Sequence, residues 1–215
     1  MTYQEVYLDL ISKTSSLKIK KANKMTSLSS ICFSLVINYL KPNENDISFL
    51  NSHLMEFKEI FCDFEPHKIV KQGSYLKQLN IVLSSFNEKN ISSLKKITKA
   101  TLLASKHLSN YKDYEAYKKE ITSKCSDENM IFEFLKDFHI QYKLPEMYFN
   151  KASSYFNEIG LLDTPVLSSK CKNYLSSFFD ISNENKKIYN YLISLAKENN
   201  ILCDEINQRI NNLND

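Results

Sequence analysis

Lysines are the residues of this sequence best placed to do chemistry, because the other reactive types are scattered. His53, His67, His107 and His139 show no ligand spacing such as i, i+4, so no metal site is expected. The five cysteines (Cys32, Cys62, Cys125, Cys171 and Cys203) are odd in number and form no C-x-x-C pair. Reduced, mostly buried thiols are the expected state. Arg209 is the sole arginine, so bidentate contacts to guanine or phosphate are nearly absent. Anion binding then falls to lysines, backbone amides and helix N-termini. Lys95, Lys96, Lys99 and Lys106 gather towards one side of the stretch ISSLKKITKATLLASKHL. With the lysines of the next helix they make the most electropositive face in the chain. The competing reading is a solvated, lysine-bearing surface. A second basic stretch, Lys13 to Lys24, reads as a solvated linker, with a nucleic-acid or membrane-surface contact as its functional alternative.

The elements that must position these lysines are helices. Only 2 glycines occur among 215 residues, where average usage would give roughly fifteen. So few glycines leave little material for tight hairpins or phosphate-cradling loops, which argues against sheets and Gly-rich nucleotide sites. The hydrophobic share of 43% and charged share of 25% suit a soluble globular protein. The formal charge of +3, together with the abundance of Asn, Ile, Lys, Tyr and Phe, reads as codon bias from an AT-rich genome. No apolar run approaches the ~18 residues of a membrane span, and no secretory segment is evident at the start. A cytoplasmic all-α protein of about ten helices, without a cofactor, is expected, as a single domain with possible lobes at 26–124 and 125–215.

Taken in order, Val6, Tyr7, Leu10 and Ile11 predict a first amphipathic helix over Tyr3–Ser12. Thr26-Ser27 can cap a nearly all-apolar helix to Leu40, which belongs at the centre of a bundle. Lys41-Pro42 ends it. Asn45-Asp46 would cap one helix through Phe61. From His67 to Phe86 the helical period is interrupted at Gly73-Ser74, and Asn90 or Ser92 starts the lysine-bearing helix. Tyr111–Lys124 and a helix from Ser126-Asp127-Glu128 to about Ile140 follow. Later, Ser182 with Glu184 nearby starts a helix to Glu198, Asn199-Asn200 breaks it, and Cys203-Asp204 opens the last helix.

Phe138 to Leu175 holds two of the four prolines and one of the two glycines. Pro145 suits the first turn of a helix, Gly160 suits its left-handed C-terminal end, and Asp163-Thr164-Pro165 repeats the start signal. This arrangement resembles the helix-hairpin-helix DNA glycosylase superfamily, in which Leu-Pro-Gly-φ-Gly-x-Lys-x-Ala precedes a short loop with a catalytic aspartate. Leu144-Pro145 and Lys151-Ala152 carry the likeness, within an element spanning 132–160. The chain departs from that pattern in two places. Met147, Tyr148 and Phe149 occupy the region of the hairpin glycines, and Ser168 stands at the position of the acid.

The resemblance implies binding of nucleic acid or a modified nucleobase, with altered or degenerate N-glycosylase or lyase activity. Lys151 would be the amine nucleophile, with an acidic group such as Asp163 or Glu158 assisting it. Lys143, Lys95, Lys96 and Lys99 would contact phosphates, and Tyr148, Phe149 and Tyr155 would stack on a base, with core packing as the competing role of these aromatics. The alternative is a non-catalytic helical factor that binds a protein partner, consistent with tyrosine-rich segments such as YKDYEAY. A lysine groove shared between the helix carrying Lys95, Lys96 and Lys99 and the hairpin carrying Lys143 and Lys151 is a demand only the first reading makes.

Overall fold

In a computed structural model the structure describes residues 2–19, 25–86, 90–181 and 184–213. Among them lie thirteen α-helices, one 3-10 turn and no strand, as the scarcity of glycine predicts. Lys20–Lys24 of the basic linker, and Ser182, fall outside the described residues. The chain forms two compact units, one of Lys24–Tyr155 and the other of Met1–Asn23 with Phe156–Asp215.

The Lys24–Tyr155 unit is built on α2 (Leu28–Leu40), which packs along α7 (Ile91–Leu108). Ser27 caps α2 by accepting from the Ser30 amide, and Ile31, Cys32, Leu35 and Val36 are buried. Burial of an aliphatic side chain of this size contributes ~1.5–3 kcal/mol, so α2 is held by packing rather than by helix propensity. α3 (Glu44–Ser52), α4 (Leu54–Ile60), α5 (Pro66–Lys71) and α6 (Tyr75–Ser85) surround this pair. The single helix expected through Phe61 is broken at His53. There His53 Nδ1 reaches the Phe49 carbonyl and the Ser52 hydroxyl, so side chains compete for a helix acceptor. Asn43, not Asn45, caps α3. Ser74 caps α6, so the interruption at Gly73-Ser74 separates two helices.

Between α4 and α5, Cys62, Asp63 and Phe64 all take positive φ (49°, 56° and 59°). Left-handed backbone costs non-glycine residues ~1–2 kcal/mol each, and here a buried Phe64 ring against Phe33 and Phe61 offsets it. α8 (Tyr114–Lys124) starts at Asp113 and packs on α9 (Glu128–Gln141), which Asp127 caps.

The link from α9 to α10 (Phe149–Glu158) departs from expectation. Pro145 does not open the second helix. Lys143, at φ 53°, closes α9 through bonds from its amide to the Ile140 carbonyl and from Leu144 N to His139 O. Leu144-Pro145-Glu146-Met147 then forms a turn with Met147 N donating to Leu144 O at 3.1 Å and Glu146 at φ 72°. This is the type II pattern, which normally takes glycine where Glu146 stands.

In the other unit, α1 (Tyr3–Lys13) begins with a Thr2/Glu5 capping box and packs on α12 (Asn185–Glu198) and α13 (Cys203–Asn211). The Tyr174 hydroxyl of α11 (Ser169–Ser176) donates to the Val6 carbonyl, and Arg209 Nη1 to Thr14. Gly160 closes α10 at φ 69°, with Leu161 N bonded to Phe156 O, as its placement predicts. Asn200 repeats that closure for α12. Pro165 does not start a helix. The buried amides of Asn157 and Asn207 hold Thr164 and Val166 in an extended loop, and Ser168 caps α11.

Candidate functional site

A cleft of about 400 Å³ lies in the Lys24–Tyr155 unit. It is bounded by the end of α2 (Tyr39), the link Lys41–Asn43, Asp46 of α3, Lys96 and Lys99 of α7, Glu146 of the turn and Lys151 of α10. Lys96 and Lys99 reach it together because residues three apart share a helix face, while Leu94, Ile97 and Ala100 turn inward. Lys151 arrives from the first turn of α10. Its ammonium donates to the Tyr39 carbonyl at 2.9 Å and lies 5.7 Å from the Tyr39 ring centre. That carbonyl belongs to the last turn of α2, where helix acceptors lack an internal partner. Lys151 therefore closes α2 and lines the cleft at once.

The lysines differ in how far they are committed. Asp46, only 3% exposed, accepts from Ser93 Oγ at 2.6 Å and from Lys96 Nζ at 3.0 Å. A buried carboxylate needs its counter-charge, so Lys96 is largely structural. Lys41 donates to Asn38 Oδ1 at 2.9 Å and Ser154 Oγ at 3.3 Å. Lys99 has the loosest tie, 4.0 Å from Glu146 Oε1, and both side chains are more than half exposed. The Tyr39 hydroxyl is buried, with almost no accessible surface of its own and the Glu146 carboxylate acting on it.

Electrostatics follow from the same geometry. Burial pushes the Tyr39 phenol up to about 12, reinforced by the Glu146 carboxylate, so it is a proton donor at neutral pH. Burial also draws the Lys151 ammonium below the usual lysine value, with Glu146 opposing. Four lysines face two carboxylates, which leaves the cleft two charges positive. Such an arrangement attracts an anion, with hydrogen-bond donors at its floor and one loosely held cation at its rim.

Lys96, Lys99 and Lys151, singled out in the sequence, are thus brought together. Lys95 on α7 and Lys143, whose backbone forms the left-handed end of α9, are both exposed but do not line the cleft. Tyr148 is 60% exposed with its ring 4.8 Å from that of His139, whereas Phe149 is half-buried against Phe132. Tyr155 is core, its hydroxyl 3.1 Å from that of Tyr117. Asp163 uses its two carboxylate oxygens on the amides of Cys203 and Asp204, capping α13 from forty residues away. Tyr39, Lys41, Asp46 and Glu146 belong to the cleft, and the sequence marked only a helix stop at Lys41-Pro42 and a helix start at Asn45-Asp46.

No protein-family description, curated protein or solved structure matches this chain. No helix among the described residues is long and apolar enough to cross a membrane. No group of three or more His, Cys, Asp or Glu among them could hold a metal ion.

Proposed function

We propose that this protein binds nucleic acid through the lysine-lined cleft beside the α9–α10 link. The observation that supports it is the convergence of Lys96 and Lys99 from α7 with Lys151 from α10 on one surface. Tyr148 stands exposed on that link, available to stack on a base. The reading is tested by fluorescence anisotropy of a labelled single strand across a salt series. Affinity falls as salt rises, with a log–log slope of about −2 for three neutralised phosphates. Lys99→Glu reduces affinity and flattens the slope, while the helical circular dichroism stays unchanged. Salt-independent binding, or an unaffected Lys99→Glu variant, removes the reading.

If the protein also acts on its ligand, Lys151 is the amine for the job, since burial favours its neutral, nucleophilic form. Borohydride trapping on a strand with an abasic site tests this version. An adduct that forms with the native chain and disappears in Lys151→Gln supports it, and an adduct that persists rules Lys151 out. The exposed Ile140 in the last turn of α9 and Tyr148 of the link favour a second reading, apolar contact with a protein partner. Capture of a stoichiometric partner, lost in Ile140→Lys and insensitive to salt, would select it.

A further inference from the structure

We propose that the cleft is a site for a single phosphomonoester, with the loosely held Lys99 ammonium as the cation that closes on it. The proposal rests on the reading above only in placing the ligand in this cleft. Charge is the first argument. Lys41, Lys96, Lys99 and Lys151 against Asp46 and Glu146 leave two positive charges. A phosphate monoester carries about −1.5 to −2 at neutral pH and so balances them, whereas a bridging diester carries one negative charge per phosphate.

The donors left over are the second argument. Lys96, Lys41 and Lys151 each already spend a proton on Asp46, Asn38 or the Tyr39 carbonyl. Lys99 is held only by a 4.0 Å contact to Glu146, and both side chains are more than half exposed. A terminal phosphate offers three oxygens free of the ester link, enough for Lys99 and for the remaining protons of the other lysines. Size is the third argument, since about 400 Å³ falls in the range for one small ligand (~300–1,000 Å³) and not for a duplex. The group can come from the end of a strand or from a free mononucleotide, and the chemistry is shared.

The test compares one internally labelled single strand bearing a 5′-phosphate, a 3′-phosphate or hydroxyls at both ends. Unlabelled adenosine monophosphate, adenosine and inorganic phosphate serve as competitors. A strand with one phosphorylated end is expected to bind about tenfold more tightly than the hydroxyl-ended strand, the size of one added charged hydrogen bond. Lys99→Gln, whose side chain is exposed, should narrow that gap to about twofold while the melting temperature holds. Lys99→Arg, which keeps the charge, should preserve the gap, and a gap unchanged in Lys99→Gln overturns the site. If all three strands bind alike, the monoester site is wrong and nucleic-acid binding stands. If no strand binds but adenosine monophosphate does so in a Lys99-dependent way and adenosine does not, the monoester site stands and the strand reading falls. Binding of neither strand nor mononucleotide overturns both.

Discussion

Glu146 shows how a single residue can carry strain and charge at the same place. Its φ of 72° is a backbone setting that glycine adopts freely and that costs other residues about 1 kcal/mol or more. Its carboxylate also opposes the lysines of the cleft. Glu146→Gly should therefore raise stability by about 1 kcal/mol, read from urea unfolding, and raise oligonucleotide affinity as well. Stability and affinity moving in opposite directions would contradict the account. His107 makes a different residue-scale prediction. Its ring is buried among Tyr111, Tyr117, Phe138 and Tyr142, and Nε2 has no partner. Burial lowers its pKa to about 3, while Glu120 raises it and Lys124 lowers it further. As pH falls below about 6.5, the unfolded chain takes a proton that the folded chain refuses until about pH 3. Stability should decline through that window by up to about 1.4 kcal/mol per pH unit from this group. His107→Phe should flatten that part of the profile in urea titrations between pH 6.5 and 4.

At the scale of elements, the helices begin and end by local rules the sequence states openly. Ser27, Ser74, Asp113, Asp127 and Ser168 each accept from an amide of the first turn, and Thr2 and Glu5 form a reciprocal box. The same logic also works across the chain, as Asp163 does for α13. Asp163→Ala should destabilise the unit holding α13 by about 1–2 kcal/mol, as loss of an ordinary N-cap does. Amide exchange at Cys203 and Asp204 should rise first, and unchanged exchange there would show that the cap is idle. Three helices end by one device, a residue in the left-handed region with an amide bond back across the last turn. In this glycine-poor chain Lys143, Gly160 and Asn200 share the task. Pro145 and Pro165 sit outside helices because these stops, and the Asn157 and Asn207 side chains, had already fixed the backbone around them.

Across the whole molecule, the N-terminal helix belongs with the C-terminal third of the chain. Tyr7 bonds Glu205, Tyr174 bonds Val6 and Asp9, and Arg209 reaches Thr14. Deleting residues 2–19 should increase amide exchange throughout α11, α12 and α13, while α2 and α7 keep their protection. Equal protection in both sets of helices would contradict the division into units. The sequence held no sign of this pairing, since α1 is an ordinary amphipathic helix whose partner its own pattern does not name.

Helix content, most boundaries, the caps at Ser27 and Asp127 and the terminal roles of Gly160 and Asn199-Asn200 followed from the sequence alone. Those features depend on side chains within about four residues of one another, which is the reach of helical periodicity and capping. The lysine face was legible in the same way, as Lys96 and Lys99 three apart. Tertiary packing decided that Lys151 joins them, that Tyr39 and Glu146 complete the cleft, that Lys95 stays outside it, and that Asp163 caps α13 rather than a helix starting at Pro165. Each of these turns on which helix faces meet, and that is set by many small burial contributions summed over distant residues rather than by any local pattern.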